Sequence, residues 1–140
     1  MANRNGARPV SAMPEQSAFA KLCGIEVVEV APDRVVCRMP VTEDLGNRNG
    51  VLHGGAMMTL ADNAAGSAAF INIPEGRSNT TVESKTNFLR GVRVGDTVTA
   101  TCVPLHAGRT TIVLQVTMTR GDGKTAAVTT QTHLVLDWRG

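Results

Sequence analysis

The chain has 140 residues, of which 42% are hydrophobic and 19% charged, and its formal net charge is +2. This length and composition are typical of one globular domain and too small for two full ones. The Lys and Arg residues form no run, so a basic face that binds nucleic acid is not expected.

The first residues differ in composition from the rest of the chain. Residues 1–13 contain Asn, Arg, Gly, Pro and Ser but few large apolar side chains, so we expect a flexible arm there and a single domain over residues 14–140. No apolar stretch of the kind found in signal peptides or membrane spans follows the arm, and we expect a cytoplasmic protein that does not bind membranes. Cys23, Cys37 and Cys102 form no C-x-x-C pair, which predicts reduced packing residues.

A short helix and a hairpin are predicted next. Pro14-Glu15-Gln16 is typical of a first helical turn, and Gly24 is predicted to end this helix. From Ile25 the apolar period changes to two, which predicts two strands joined by a turn at Ala31-Pro32-Asp33. The alternation sets Val35, Cys37, Met39 and Val41 against Arg34, Val36 and Arg38.

The second half of the chain combines one long helix with further strands. The segment from about Gly54 to Ile71 is rich in Ala, Met and Leu and apolar on nearly every side, which predicts a helix buried all round. Alternation then returns three times and predicts an antiparallel meander with one buried face. Its three patterns are Val98/Ala100/Cys102, Ile112/Leu114/Val116/Met118 and Val128/Thr130/Thr132/Leu134/Leu136. A curved sheet wrapped around a central helix buries both, which is the α+β hotdog fold.

The segment that leads into the long helix is rich in glycine. Residues 47–55 read Asn-Arg-Asn-Gly-Val-Leu-His-Gly-Gly. Glycines at a helix N-terminus let backbone N–H groups approach a ligand, and the helix dipole favours negative charge there. A developing oxyanion suits this position, although a plain glycine-rich turn with His53 near the cap accounts for the same residues. The segment is not a Walker loop, because no Gly-Lys-Ser/Thr follows.

Asp62 stands in the middle of the predicted helix among Leu60, Ala61, Ala64 and Ala65. An unpaired carboxylate buried there costs several kcal/mol. The residue is therefore either a catalytic acid or nucleophile, or a structural acid hydrogen-bonded to Asn63 of another chain or to strand backbone.

The spacing between the glycines and the aspartate carries a further inference. Gly54 and Asp62 are eight residues apart, which on one helix separates them by about 12 Å along the axis. They cannot both contact one carbonyl group within ~3 Å. If the Gly54 N–H polarises a carbonyl that Asp62 attacks or hydrates, the aspartate must come from an antiparallel helix of a neighbouring subunit. This predicts a site at a dimer interface.

Residues 47–66, NRNGVLHGGAMMTLADNAAG, resemble the corresponding segment of PaaI-like hotdog thioesterases. That family includes phenylacetyl-coenzyme A thioesterase and a mammalian acyl-CoA thioesterase branch. The similarity extends from about residue 19 to residue 136 and includes residues 85–90 and 129–136. An Asp at position 62, where one 4-hydroxybenzoyl-CoA thioesterase type has Glu, resembles the PaaI branch.

The resemblance implies an acyl-CoA substrate and a role for each matching residue. Gly54 N–H would bind the thioester oxygen, and Asp62 of the partner subunit would be the nucleophile or general base. Asn47 would position the thioester or the attacking water, and His53 would orient the loop or polarise the carbonyl.

A water-orienting hydroxyl is also implied. Thr81 falls where the family often has such a Ser or Thr, and a shift of one residue in the alignment would make Thr80 the match. For substrate binding we expect Gly55 and, on the phosphates of coenzyme A, Arg90 and Arg109. No metal and no redox cofactor are implied.

Two other functions remain open at this point. Hotdog hydratases and dehydratases also act on acyl thioesters, and a non-catalytic module could bind acyl-CoA without turnover. The family forms dimers and usually dimers of dimers, so we expect a homo-oligomer, with a homotetramer as the expected form. The low aromatic content, with no Tyr, favours aliphatic or small-ring acyl groups.

Overall fold

The computed structural model of the protein describes residues 8–137. Two α-helices are present, α1 (Ala18–Leu22) and α2 (Gly54–Ile71), with short 3-10 turns at Val10–Ala12 and Glu43–Leu45. The strands are β1 (Glu26–Ala31), β2 (Arg34–Pro40), β3 (Arg77–Phe88), β4 (Thr97–Ala107), β5 (Thr111–Thr119) and β6 (Thr125–Asp137).

The six strands form one antiparallel sheet in the order β1-β2-β4-β5-β6-β3. β4, β5 and β6 form the predicted meander, whereas β3 lies beyond β6 and forms an edge of the sheet. α2 crosses the inner face and contacts every strand. The predicted α+β hotdog fold is confirmed, and so is the hairpin of β1 and β2. No helix in residues 8–137 is long and apolar enough to cross a membrane.

The first helix begins later than the sequence predicts. Pro14, Glu15 and Gln16 precede α1, and Ser17 is its N-cap, with the Ser17 Oγ accepting a hydrogen bond from Ala20 N at 3.1 Å. A serine hydroxyl satisfies a free N–H of the first turn, so the helix begins after Ser17 and not at Pro14. The helix ends near Gly24 as predicted, where a φ of 75° requires a residue without a side chain.

The predicted N-terminal arm falls partly outside the described residues, which start at Arg8. The Arg8 guanidinium lies 3.9 Å from the centre of the Phe70 ring. It donates hydrogen bonds to Phe70 O at 3.1 Å and Arg77 O at 2.6 Å. From Arg8 onwards the chain therefore contacts the domain; flexibility of the preceding residues stays a prediction.

α2 has the predicted length, but it is not buried on every side. Its sheet-facing side consists largely of alanines with at most 1% exposure, namely Ala61, Ala64, Ala65, Ala68 and Ala69. Their small side chains let the helix backbone lie close to the sheet. Gly55 and Asp62 are exposed on the opposite side. Five of the six alanines of α2 are buried, and the uncovered side looks nearly apolar in the sequence because it includes Gly55, Met58, Gly66 and Phe70.

The alternation predicts the buried face correctly in two strands of the meander and wrongly in the third. The inward residues of β4 and β5 are fully buried as expected. In β6, however, the buried residues are Ala126, Ala127, Thr129, Gln131, His133 and Val135, and the predicted set faces outward. The inward positions of β6 include polar side chains that hydrogen-bond to β3 and α2, so hydrophobicity alone selects the wrong face.

A β-bulge in β3 changes which residues of that strand face α2. The register against β6 shifts between Thr81 and Glu83. Thr81 and Ser84, an odd number of positions apart, consequently both point inward, where Thr81 bonds to α2 and Ser84 to β6. A regular strand would turn Ser84 outward, because successive side chains alternate between faces.

The three cysteines are free and buried, as predicted. Burial raises the pKa of the Cys37 thiol to about 11, an effect that a hydrogen bond from Asn63 opposes. Burial also raises the pKa of the Cys102 thiol to about 12, and the neighbouring Cys37 adds to this. Both thiols therefore stay protonated at neutral pH and act as packing groups.

Replacing an alanine of α2 by a larger residue should destabilise the fold. We expect Ala65→Leu to lower the free energy of unfolding by about 1–3 kcal/mol, because the added atoms overpack a fully buried contact. The matched control is Ala18→Leu, the same change at an exposed position of α1, which should change it by less than about 0.5 kcal/mol. Urea unfolding at one fixed protein concentration measures both, and equal stabilities would contradict close packing at Ala65.

Candidate active site

The N-terminus of α2 is capped by the residue before it. His53 Nδ1 accepts a hydrogen bond from Gly55 N at 2.9 Å, so in the neutral ring the proton is on Nε2. No hydrogen bond in the described part of the chain uses the N–H of Gly54. This N–H thus remains available as a donor at the positive end of the helix dipole.

Asn47 shapes the loop that precedes the helix. Its Oδ1 accepts hydrogen bonds from Asn49 N at 2.8 Å and Val51 N at 3.4 Å, and its own N–H donates to Val51 O at 2.7 Å. The side chain closes an Asx turn, in which a side-chain oxygen replaces a backbone acceptor. The structure thereby gives Asn47 a local structural role, and it places Asn47 outside the clefts that border Asp62.

Asp62 lies on the uncovered side of α2 and is exposed, not buried as the sequence predicts. Its Oδ1 nevertheless accepts two hydrogen bonds from side chains, one from Thr81 Oγ1 at 3.1 Å and one from Gln131 Nε2 at 2.7 Å. Within residues 8–137 no strand backbone group hydrogen-bonds to it, and a contact with Asn63 of another chain stays a prediction. Thr81 is the hydroxyl beside Asp62, and Thr80, the other candidate from the sequence, alternates to the opposite face of β3.

Behind Asp62 the hydrogen bonds continue into buried residues. Gln131 is 0% exposed and His133 2% exposed. Gln131 Nε2 lies 2.8 Å from His133 Nε2, and Gln131 Oε1 accepts from Ser84 Oγ at 2.8 Å. On the far side of the ring, His133 Nδ1 lies 3.0 Å from Asn79 Nδ2. The exposed carboxylate therefore rests on a polar network that reaches the core.

His133 is held in its neutral form by this environment. Burial lowers the pKa of His133 below its ordinary value, and the nearby Asp62 carboxylate opposes that shift without reversing it. The imidazole is therefore neutral at pH 7, with one nitrogen a donor and the other an acceptor. The hydrogen bonds of His133 to Thr81 and Gln131 link it to Asp62.

Sequence reasoning missed Gln131 and Ser84, although a signal was present. Gln131 and His133 occupy alternate positions of the closing strand. Polar side chains at regular spacing in a predicted strand indicate either a solvent-facing side or a hydrogen-bonded interior network. Only the pairing of β6 with β3 distinguishes the two, because it places Gln131 opposite Ser84 and His133 opposite Thr81.

Two open clefts border Asp62. One, of about 370 Å³, is lined by the apolar residues Phe19, Ala20 and Met58, by Gly55, and by polar residues that include Thr59. The other, of about 330 Å³, lies between the segment before α1 and the second half of α2 and includes Asn63 and Phe70. Gln16 fixes that segment by donating to Ile25 O and accepting from Asn63. The Asp62 carboxylate is thus accessible from both sides of the segment that precedes α1.

The other predicted site residues lie elsewhere. Gly54 and Arg90 line a third cleft, of about 350 Å³, together with Phe88 of β3. Arg109 lines a cavity of about 550 Å³ beside Arg77, at the C-terminal end of α2. Within one chain, therefore, Thr81 hydrogen-bonds to Asp62 and Gly55 lines the same cleft as Asp62, whereas Gly54 and Arg90 line a second surface and Arg109 a third. Among residues 8–137, no three His, Cys, Asp or Glu side chains converge as metal ligands.

Known proteins match this chain over most of its length. The model of the thioesterase superfamily matches residues 49–127, more than half of the chain. The putative esterase ComA2 of Bacillus subtilis is 42% identical over 106 residues, which are 74% of this chain and 82% of that protein. The acyl-coenzyme A thioesterase PaaI of Escherichia coli is 32% identical over 117 residues, 84% of this chain and 81% of that one.

Solved structures agree with the sequence matches. A hypothetical thioesterase from Streptococcus pneumoniae, solved with coenzyme A, superposes with a TM-score of 0.75 at 28% identity, covering 83% of this chain and 88% of that one. The sheet order, the single long helix and these matches agree with one another. The chain belongs to the thioesterase superfamily, in its PaaI-like group of hotdog proteins, and is a thioester hydrolase.

Proposed function

We propose that this protein hydrolyses a small aryl- or acyl-coenzyme A thioester to the free acid and coenzyme A, with Asp62 as nucleophile or general base. The observation that carries the proposal is the Asp62 carboxylate, held at Oδ1 by Thr81 and Gln131 and open to solvent between two clefts. The names of PaaI and of the coenzyme A-bound relative support coenzyme A as the carrier.

The reaction needs one group that activates an oxygen nucleophile and one that stabilises the oxyanion. As a base, Asp62 takes a proton from water while the water oxygen adds to the thioester carbon. As a nucleophile, it adds directly and forms an anhydride that water then cleaves. In both cases the oxyanion accepts a hydrogen bond from Gly54 N–H, the C–S bond breaks, and coenzyme A leaves as the thiolate.

The proposed site combines two subunits. Gly54 and Asp62 line different clefts of one chain, in keeping with their spacing of about 12 Å along α2. We therefore place the Gly54 N–H of one subunit beside the Asp62 carboxylate of a second copy. A thioester that lies between the two helices then contacts both.

β3 supports this arrangement, because within residues 8–137 no strand pairs with its outer edge. The backbone groups of that edge can therefore hydrogen-bond to a strand of another copy. The strand meets Asp62 at Thr81 and meets Gly54 at the Phe88 ring, 3.4 Å from where a Gly54 Cβ would be. If two copies pair through β3 about a two-fold axis between these positions, Phe88 of each copy comes opposite Thr81 of the other. Each Gly54 is thereby carried towards the Asp62 of the second copy.

The remaining residues have subordinate roles in this proposal. His53 caps the helix through Nδ1, so its Nε2–H can donate to the substrate, while Asn47 positions the thioester or water through its loop. Thr81 orients Asp62 and the attacking water. The cleft beside Phe19 and Met58 suits an uncharged acyl group, and Gly55, Arg90 and Arg109 bind the carrier, the arginines through its phosphates.

Removing the charge of Asp62 should abolish turnover. We expect Asp62→Asn to lower kcat by about 10²-fold or more, because the amide is neither a base nor a nucleophile. Thiol release from a panel of acyl- and aryl-CoA substrates, followed with a disulfide dye, measures this.

The control for that variant is Asp33→Asn, the same change in the turn between β1 and β2, which should leave kcat unchanged. Equal turnover by wild type and Asp62→Asn would refute the assignment of Asp62. Binding without thiol release would indicate a non-catalytic module, and a hydrated or dehydrated acyl chain with the thioester intact would indicate a hydratase.

The Gly54 N–H can be removed with little change in structure. Gly54 is the first residue of α2, where proline is well tolerated, and His53 has the extended conformation that precedes proline, with φ −62° and ψ 135°. Gly54→Pro should lower kcat by about 10²–10³-fold through loss of an oxyanion donor. Gly54→Ala keeps the N–H and meets Phe88 only at van der Waals distance, so it should retain most activity; an active Gly54→Pro enzyme would contradict this role.

Mixed dimers test whether the site spans two subunits. Asp62→Asn and Gly54→Pro chains are co-expressed with different tags, and the dimer that carries both tags is purified. A shared site leaves one of two sites intact, so the mixed dimer should show about half of the wild-type kcat per dimer. If it remains as inactive as the parent variants, or if sedimentation shows an active monomer, the site lies within one chain.

A further inference from the structure

Gln131 carries the shortest hydrogen bond to the proposed catalytic carboxylate. Its Nε2 lies 2.7 Å from Asp62 Oδ1, against 3.1 Å for Thr81 Oγ1. The residue is 0% exposed on the inner face of β6, so it reaches the exposed carboxylate from inside the protein. A buried amide cannot exchange this partner for water without leaving its donor unsatisfied.

The contacts of the Gln131 amide determine the direction of its hydrogen bonds. Oε1 accepts from Ser84 Oγ at 2.8 Å, so both hydrogens of Nε2 are left for other partners. An ionised Asp62 only accepts, and it takes one of them. The second points to His133 Nε2 at 2.8 Å, with Thr81 Oγ1 farther away at 3.3 Å, so Nε2 is the unprotonated nitrogen of a neutral ring. His133 Nδ1 then carries the proton, and the Asn79 amide must turn by 180° so that its oxygen replaces Nδ2 as the atom that faces Nδ1.

Resting on the proposed function, we propose that Gln131 is a positioning residue for the reaction: it holds Oδ1 of Asp62 so that Oδ2 is the oxygen that reacts. Oδ1 accepts from two side chains, and no hydrogen bond within residues 8–137 uses Oδ2. The fixed oxygen prevents rotation of the carboxylate about its χ2 bond, and Oδ2 is directed towards the clefts.

The Gln131 amide also links Asp62 to the ionisation of its surroundings. The titratable groups near Asp62 are His133 of β6 and Glu15 of the segment before α1. Within α2 Asp62 is the only charged residue, and on β3 Glu83 and Lys85 alternate to the face away from the helix. Protonation of His133 would set Nε2–H against the amide hydrogens of Gln131, so the network favours neutral His133.

The main test variant is Gln131→Met, which keeps the length of the side chain and removes both donors. We expect kcat to fall about 10-fold to 100-fold, as for loss of a hydrogen bond to a charged group, with little change in KM. The matched control is Thr129→Val, at the preceding inward position of β6. Thr129 is equally buried, and within residues 8–137 its hydroxyl hydrogen-bonds only to the Thr86 hydroxyl, at 2.8 Å. This change therefore removes a buried hydrogen bond without touching Asp62 and should leave kcat unchanged.

A second measurement does not depend on the substrate. The carbon-13 chemical shift of the Asp62 carboxyl in the resting protein at pH 7 should change in Gln131→Met, because a hydrogen bond to that carboxylate is lost, and stay constant in Thr129→Val. In Gln131→Glu two carboxyl groups share the site, so the acidic limb of the kcat profile should move up by about one pH unit or more.

The outcomes separate this inference from the proposed function. An unchanged kcat in Gln131→Met, with or without a change in the carbon-13 shift of the Asp62 carboxyl, would overturn the positioning role. Equal losses of kcat in Gln131→Met and Thr129→Val would also overturn it, since both would then reflect a weakened fold. A wild-type protein inactive on every thioester, with the expected NMR shifts, would overturn the proposed reaction and leave the role of Gln131 in holding Asp62 supported.

Discussion

The contact between α2 and the inner face of the sheet positions every group of the site. The helix meets the strands through alanines, and small side chains allow a separation that Leu or Phe would not. At this distance the short side chain of Asp62 reaches hydroxyl and amide groups on β3 and β6. A larger separation would leave the carboxylate to water alone, so the close packing both stabilises the fold and holds the candidate catalytic group.

The bulge in β3 adapts the edge strand to this helix. Inward residues on both sides of it pair with inward residues of β6, Thr81 with His133, Ser84 with Gln131 and Thr86 with Thr129. The result is a series of polar pairs under the edge of the sheet, in which each buried donor finds an acceptor. Polar groups inside a sheet are costly unless fully paired. Here the pairing supplies the carboxylate with rigid neighbours, which a solvent-exposed aspartate otherwise lacks.

A single chain presents the parts of the site on separate surfaces. Asp62 and Gly54 border different clefts, and the outer edge of β3, which contacts both, has no strand beside it. An unpaired edge of 12 residues is an association surface unless something covers it. In the proposed dimer one strand pairing has both effects. It covers the edge of β3, and it brings the Gly54 of each subunit towards the Asp62 of the other.

The helices and strands that have local sequence signals could be predicted from the sequence alone. The alternation in β2, β4 and β5, the extent of α2 from Gly54 to Ile71 and the loop-to-helix segment around His53 all depend on neighbours in the chain, and the structure confirms them. Asp62 is singled out in the sequence because an unpaired carboxylate is costly to bury; the structure shows it exposed, and its catalytic role stays a proposal. The predicted start of α1 is too early. Proline and an acid are typical of a first helical turn, but the N-cap is the serine that follows them.

The groups that surround Asp62 and the buried face of β6 could not be predicted locally, because they depend on tertiary contacts. Gln131 is 69 residues away from Asp62 along the chain, and nothing local indicates that they meet. The buried face of β6 follows from its pairing with β3, and the inward side of β3 follows from one bulge. A shift of a single residue turns a strand's side chains to the other face, so the site depends on register, and register is set by contacts between distant segments.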